Sequence, residues 1–163
     1  MFIRGASVVP TPVCGNGSNR RIRRFGERTY TSAVQRRRMY AVSVSRSCIA
    51  QHYLTVPDPG PEGDLHSHRF GIEATFRGPT LNEYGYLVDI DAVIEAVEAV
   101  VDELSDRTLN DLPAFEGQNP SAEHLARVVA DRLTDRLSPP NATELVVAVR
   151  EDDVAEVAHE REL

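Results

Sequence analysis

The chain has 163 residues, a net charge of −7 at neutral pH and five histidines, and this length predicts a single domain with a buried core. No apolar run is long enough to span a membrane. The two cysteines, Cys14 and Cys48, are too few for a disulfide framework and indicate a reducing, cytoplasmic compartment. Neither has C-x-x-C spacing, which excludes a thiolate zinc site.

The charge is divided unevenly along the chain. Residues 1–38 carry nine Arg against Glu27 alone, a balance of +8, whereas residues 39–163 carry nine Arg against 24 acids, a balance of −15. Residues 1–38 have no periodicity and are rich in Ser, Gly and Asn, so we interpret them as a disordered extension or a misassigned start. A transit-like leader and a nucleic-acid-binding arm are the alternatives. The acidic remainder lacks the clustered cations that phosphate contacts need, which argues against a nucleic-acid partner.

The first predicted strand covers residues 39–53, where apolar and polar side chains alternate. The side chains that share its apolar face are Tyr40, Val42, Val44, Cys48, Ala50 and His52. His52 therefore lies at the far end of that face. Residues 57–61, which contain three prolines, predict a loop before the next strand.

The second predicted strand begins at an H-x-H motif, His66 and His68, and ends near Arg77. Side chains two apart share a face, so both imidazoles lie on the face of Phe70 and the apolar residues that follow. Antiparallel pairing with the first strand brings His52 to the same end. Three imidazoles with one open position are typical of a catalytic zinc, so His52, His66 and His68 are the predicted ligands. For the H-x-H pair alone, two partly buried structural histidines are the alternative.

Two amphipathic helices are predicted next. The apolar stripe of the first consists of Ile90, Val93, Ile94, Val97, Val101 and Leu104, with Asp89 or Asp91 as N-cap. The second helix is predicted to begin at Asn119-Pro120, with Asn119 as N-cap and Pro120 at the first helical position. Its stripe consists of Leu125, Val128, Val129, Leu133 and Leu137.

Two further strands are predicted over residues 143–151 and 155–159. Glu151 falls on the apolar face of the first of them, where a carboxylate must be solvated or bind a partner. The element order is ββααββ. It predicts an α+β domain in which both helices pack on one face of a four-stranded antiparallel sheet.

Six segments in this order resemble the family of 6-pyruvoyl-tetrahydropterin and 6-carboxy-tetrahydropterin synthases, over nearly all of residues 39–163. They are Ala50-Gln51-His52, His66-Ser67-His68, Gly85-Tyr86-Leu87-Val88-Asp89, Leu109-Asn110, Asn119-Pro120-Ser121-Ala122-Glu123 and Glu151. The resemblance implies the tunnelling fold (T-fold), in which three sheets close into a barrel and two trimers stack into a homohexamer. It also implies zinc at the three histidines, a pterin anchored by the Glu151 carboxylate, and a second pterin contact at Ser121.

Two positions depart from the family pattern. Glu62 stands four residues before the H-x-H motif, where the family usually has Cys. This resembles the branch in which Glu replaces Cys and the product is 6-hydroxymethyl-7,8-dihydropterin, a folate or methanopterin precursor. Counted from Leu109-Asn110, the family's catalytic Asp-His pair falls on Ser105 and Asp106. Either Asp106 carries protons in place of the imidazole, or the usual reaction is weakened or lost.

The resemblance therefore implies a zinc-dependent lyase acting on 7,8-dihydroneopterin triphosphate, with Glu62 and Asp106 as its acid/base groups. One alternative is the 6-carboxy-tetrahydropterin synthase of the queuosine and archaeosine pathways, against which the missing Cys argues. The other is a protein that keeps zinc and the pterin anchor but has lost turnover.

Overall fold

The computed structural model describes residues 39–163, and the predicted disorder of residues 1–38 lies outside the described residues. The described chain forms β1 (Tyr40–His52), β2 (His66–Gly78), α1 (Ile90–Leu104), α2 (Ala122–Arg136), β3 (Glu144–Glu151) and β4 (Ala155–Glu162). Short 3-10 turns lie in the connections, at Gly60–Gly63, Leu109–Asp111 and Pro113–Phe115. The predicted order ββααββ is confirmed.

The four strands form one antiparallel sheet in the order β1-β2-β3-β4. β1 pairs with β2 without interruption, from Tyr40 opposite Gly78 to His52 opposite His66. Phe70 of β2 lies opposite Glu151 of β3. This register brings the end of β1, the start of β2 and the end of β3 together. We call this part of the sheet, which carries His52, His66, His68 and Glu151, the histidine end.

Both helices cover the same face of the sheet. α1 packs mainly against β1, whereas α2 packs against β3 and β4. The β2 side chains beneath them, Phe70, Ile72, Ala74 and Phe76, are at most 1% exposed. Fully burying a large apolar side chain stabilises a fold by about 1.5–3 kcal/mol, so this layer provides much of the driving force for folding. The predicted α+β architecture, with both helices on one face, is confirmed.

The start of α1 agrees only in part with the prediction. Of the two predicted N-caps of α1, the structure has Asp89, whose carboxylate accepts hydrogen bonds from the N–H groups of Asp91 and Ala92. Ile90 was assigned wrongly to the buried stripe, because half of it stays exposed. Its position has the right spacing, but the first residue of the helix is not covered.

No helix within residues 39–163 has both the length and the hydrophobicity needed to cross a membrane.

The predicted start of α2 at Asn119-Pro120 is wrong, because Ser121 is the N-cap. The Asn119 side-chain oxygen accepts a hydrogen bond from the Thr55 N–H at 2.8 Å. The Pro120 carbonyl accepts one from His52 Nδ1, also at 2.8 Å. These contacts with the end of β1 and the loop after it hold Asn119 and Pro120 outside the helix.

At the other end of the chain, β4 continues beyond the predicted residue 159, because its backbone pairing with β3 extends to Glu162.

Candidate metal centre and active site

Three imidazole rings meet at the histidine end. The ring centroid of His52 lies 4.6 Å from that of His66 and 5.1 Å from that of His68. The centroids of His66 and His68 are 4.8 Å apart. His52 is 3% exposed, and the side chains of His66 and His68 are 24% and 18% exposed. The structure therefore brings together the three histidines that strand parity had predicted to converge.

Each of the three rings is oriented through its Nδ1 atom. The acceptors are the Pro120 carbonyl for His52 (2.8 Å), the Asp64 carbonyl for His66 (2.6 Å) and the Asp152 carboxylate for His68. A carbonyl or carboxylate oxygen can only accept, so each neutral ring carries its proton on Nδ1. Each Nε2 is then left with a free lone pair.

The three Nε2 atoms are fully buried and have no hydrogen-bond partner within the described part of the chain. Most buried polar atoms in folded proteins have a hydrogen-bond partner, and a buried polar atom without one costs about 1–3 kcal/mol of stability. Burial lowers the pKa of His52, against the opposing effect of its hydrogen bond to Pro120. A lowered pKa favours the neutral ring, which is the form that binds a metal. The orphaned Nε2 atoms therefore fit a metal ion.

Glu62 adds a carboxylate to the three imidazoles. Its Oε2 lies 2.8 Å from His66 Nε2 and 3.9 Å from His68 Nε2. No hydrogen bond joins Glu62 to His66. Two lone-pair atoms at this separation repel unless a proton or a metal ion lies between them. The donor atoms of His52, Glu62, His66 and His68 all lie within 4.8 Å of one another, so this group could hold one metal ion.

The loop that carries Glu62 is held in place by hydrogen bonds. The Asn110 side chain accepts from the Tyr53 N–H at 3.0 Å and donates to the Tyr53 carbonyl at 2.9 Å. The Leu54 N–H then donates to the Glu62 carbonyl at 2.8 Å. Asn110 therefore fixes the start of the loop, and the loop fixes the backbone of Glu62. The side chain of Glu62 remains 52% exposed and can be reached from solvent.

Glu151 lies beside the same imidazoles from the β3 side. Its Oε1 is 3.4 Å from His68 Nε2 and 3.6 Å from His52 Nε2. The side chain is 27% exposed, so a ligand could contact it. The parity of β3 predicted this face for Glu151, and the structure agrees.

Asp152 is a site residue that the sequence analysis missed. Its carboxylate accepts hydrogen bonds from His68 Nδ1 and from the Arg69 N–H, the latter at 2.8 Å. Both interactions lower the pKa of Asp152, the His68 hydrogen bond more strongly. The acidic run at the end of the predicted strand was the available signal. It could not identify which carboxylate turns back toward β2.

Ser121 and Asp106 lie in different places relative to the cluster. Ser121 directly follows Pro120, the hydrogen-bond acceptor of His52, and its hydroxyl accepts from the His124 N–H at 3.4 Å. The Asp106 N–H donates to the Ile49 carbonyl at 2.8 Å, on the edge of β1 opposite β2. The Asp106 carboxylate does not belong to the donor group around His52. Within one chain, Ser121 therefore adjoins the site and Asp106 does not.

Cys48 shares the apolar face of β1 with His52 but is buried in the core at 6% exposure. Burial, and then the nearby negative charge of Asp106, raises the pKa of the Cys48 thiol to about 11. The thiol is therefore protonated at neutral pH. A protonated, buried thiol is neither a metal ligand nor a nucleophile.

Comparison with known proteins adds to this geometry. The sequence model of a family described as 6-pyruvoyl tetrahydropterin synthase matches residues 41–162. The solved 6-pyruvoyl tetrahydropterin synthase of Caenorhabditis elegans is similar to this chain with a TM-score of 0.66 and 17% identity, over 77% of this chain and 97% of that one. The Plasmodium falciparum synthase has a TM-score of 0.66 and 16% identity, over 77% and 99%.

A Plasmodium vivax 6-pyruvoyltetrahydropterin synthase, solved with alanine in place of a catalytic glutamate, has a TM-score of 0.64 and 16% identity, over 77% of this chain and 99% of that one. Identities this low show a shared fold. The T-fold expected from the sequence is therefore confirmed.

Proposed function

Because the chain belongs to the 6-pyruvoyl tetrahydropterin synthase family, we propose that it is a zinc-dependent lyase acting on 7,8-dihydroneopterin triphosphate. Its proposed product is 6-hydroxymethyl-7,8-dihydropterin. The observation that carries this proposal is the position of Glu62, whose carboxylate lies within 4.8 Å of the donor atoms of all three imidazoles. The resemblance drawn from the sequence associates a glutamate at this position with that product.

Zinc is the proposed metal because of the donor set. Three neutral imidazoles that leave one position open are typical of catalytic zinc, whereas calcium and magnesium prefer oxygen ligands throughout. His52, His66 and His68 would hold the ion through their Nε2 atoms. Zinc bound there would act as a Lewis acid toward the hydroxyl groups of the pterin side chain.

Glu62 is the proposed acid/base group. It takes the proton from the hydroxyl on the second side-chain carbon while the bond between the first and second carbons breaks. The second carbon leaves as an aldehyde bearing the triphosphate, and the electron pair stays on the first carbon, conjugated with the pterin ring. Glu62 then returns the proton to that carbon. A carboxylate suits this role because it transfers protons but is a weaker nucleophile than a thiolate.

The Plasmodium vivax synthase supports this assignment. Two of its structures carry alanine or cysteine in place of a glutamate described as a catalytic residue. A glutamate therefore serves catalysis in a protein with the same fold. The exposed half of the Glu62 side chain makes it accessible to a substrate in this chain as well.

Glu151 is the proposed pterin anchor, and Ser121 the proposed second contact. A carboxylate can accept hydrogen bonds from a ring N–H and the adjacent exocyclic amine together, which fixes both position and orientation. Glu151 lies 3.4 Å from His68 Nε2, so a pterin bound to it would lie beside the metal ligands. Asp106 remains a proposed second proton carrier, although it lies outside the donor group within one chain.

The proposed assembly is a homohexamer built from two trimers. In the described residues, β4 pairs with β3 alone, so its outer edge is free to pair with another strand. Closing such edges into a barrel satisfies their N–H and carbonyl groups. Light scattering should give the mass of six chains, and a monomeric mass at working concentration would contradict this assembly.

A protein that binds zinc and pterin without turnover is the second candidate. The observation that favours it is that Ser105 and Asp106 provide no imidazole at the place where the resemblance puts the family's catalytic Asp-His pair. Such a protein would retain the three histidines and Glu151. It would bind pterin and release no new product.

The test is to incubate the zinc-loaded full chain with 7,8-dihydroneopterin triphosphate and to identify the products by mass spectrometry. We expect 6-hydroxymethyl-7,8-dihydropterin, and the same protein treated with a chelator is the control. A 6-carboxy product would support the deazapurine-pathway alternative instead. Tight pterin binding without any product would support the second candidate.

A further inference from the structure

We propose that Asp152 is a positioning residue for the metal centre, which holds the ring of His68 in the orientation that presents Nε2 to the metal. The inference rests on the proposed metal-dependent function. It extends that function by adding a residue outside the ligand set. It also links the metal centre to the turn that follows Glu151, the proposed pterin anchor.

The contacts of Asp152 are specific. One carboxylate oxygen accepts from His68 Nδ1, and the other accepts from the Arg69 N–H at 2.8 Å. Each oxygen thus has its own donor, and the two donors are consecutive residues at the start of β2. This arrangement leaves the carboxylate little freedom to rotate. It therefore fixes the ring of His68 relative to the backbone of β2.

His68 differs from the other two histidines in its acceptor. The Nδ1 atoms of His52 and His66 donate to backbone carbonyls, of Pro120 and Asp64. Among these three rings, His68 alone donates to a side chain. A carboxylate acceptor fixes the ring tautomer and increases the basicity of the metal-binding nitrogen, and removing such a partner usually weakens metal binding by about 10–100-fold.

The turn between β3 and β4 places Asp152 at this position. Asp152 and Asp153 both have positive φ angles, of 46° and 60°, and the Val154 N–H donates to the Glu151 carbonyl at 2.9 Å. Within the three-residue connection 152–154, these two residues are the centre of a tight turn with positive φ at both positions, for which glycine and asparagine are preferred. Two aspartates in left-handed conformations are costly. A role for the Asp152 carboxylate accounts for one of them.

Asp153 provides a matched control within the same turn. Its conformation resembles that of Asp152, but its side chain is 76% exposed and its nearest ionic partner is Arg69, at 3.9 Å. Asp152→Asn and Asp153→Asn thus make the same chemical change on neighbouring residues. Asparagine tolerates a positive φ, so both variants should fold. Asparagine at 152 keeps one acceptor oxygen and cannot serve both donors.

The experiment measures zinc affinity of the full-length variants by competition with a chromophoric chelator. Asp152→Asn should bind zinc about 10–100-fold more weakly than the parent, whereas Asp153→Asn should match the parent. The visible absorption of the cobalt-substituted protein should change in Asp152→Asn alone, because it reports ligand geometry. Equal zinc affinity in the two variants would overturn the inference.

A second variant separates positioning from folding. Glycine is favoured in this turn, so Asp152→Gly should leave the thermal stability of the metal-free protein at least as high as in the parent. Its zinc affinity should nevertheless fall as in Asp152→Asn, and parent-like affinity in Asp152→Gly would also overturn the inference. If the parent itself binds no zinc, the proposed metal centre fails first and the inference with it.

Discussion

The two ends of strand β2 have the same backbone geometry, but the inward side chains are apolar at one end and imidazoles at the other. Both follow one alternation, and both pair with β1 in one uninterrupted antiparallel register. From Phe70 to Phe76, the inward side chains are at most 1% exposed beneath the helices. At His66 and His68, the inward side chains are imidazoles whose buried Nε2 atoms have no hydrogen-bond partner in the described chain.

This difference shows that the alternation of a strand decides which face a side chain lies on. Whether that side chain packs in the core or stays without a partner depends on whether the helices cover it. Under the helices, an apolar side chain is satisfied by packing, and its loss leaves a cavity. At the histidine end, the buried Nε2 atoms have no partner among the described residues and fit a metal ion. We therefore expect substitutions at the two ends to have separable effects, on folding in one case and on metal binding and turnover in the other.

The largest effect is expected from removal of a ligand. His52→Ala, His66→Ala and His68→Ala should each abolish stoichiometric zinc, because two imidazoles cannot replace three. Metal analysis of the purified variants measures this. His159→Ala, on β4 opposite Val147, is the control and should keep its zinc. Full occupancy in any of the three ligand variants would contradict the three-histidine centre.

Glu62→Gln should lower turnover on the order of 10²–10⁴-fold while zinc and pterin stay bound. The amide preserves size but cannot shuttle a proton. Steady-state kinetics and pterin titration measure the two effects separately. Glu83→Gln, the same change on an exposed turn, should behave like the parent. Parent-like turnover in Glu62→Gln would mean that Glu62 is only part of the loop surface.

The opposite pattern is expected in the covered half of β2. Phe76→Ala should cost about 3–5 kcal/mol of unfolding free energy, because it leaves a cavity beneath the helices. Urea unfolding measures this cost, and the folded fraction should still bind zinc stoichiometrically. Tyr84→Ala removes an aromatic side chain that is 72% exposed and should change stability by no more than about 0.5 kcal/mol. Zinc loss in folded Phe76→Ala would show that the two ends are coupled.

Cys48 tests the covered half of β1 with the smallest expected effect. Its pKa is raised from 9.0 to about 11, so at pH 8 it carries about 100-fold less thiolate than an ordinary cysteine. In a Cys14→Ser protein, iodoacetamide should label native Cys48 at least about 100-fold more slowly than in urea. The raised pKa of Cys48 contributes to the free energy of unfolding. This contribution is fully present below pH 9 and is lost as the pH rises through about 11. Rapid native labelling would show that this face is open.

Much of the fold could be predicted from local sequence patterns. The period of two assigned His66 and His68 to the face of Phe70, and the same parity predicted the faces of His52 and Glu151. Helical spacing predicted the buried stripe of α1 apart from Ile90, and Asp89 was one of the two predicted N-caps. These predictions succeed because residues two apart in a strand, and three or four apart in a helix, keep fixed relative directions.

Contacts between distant segments decided the remainder. The N-cap of α2 is Ser121 rather than Asn119 because Pro120 accepts a hydrogen bond from His52, 68 residues earlier in the chain. Asp152 joins the site because it meets His68, 84 residues away. Sequence alone determined which residue types could form a metal centre and on which faces they lie. Only the tertiary structure decided which acceptors fix the rings, because such acceptors are selected by proximity in space and leave no period in the sequence.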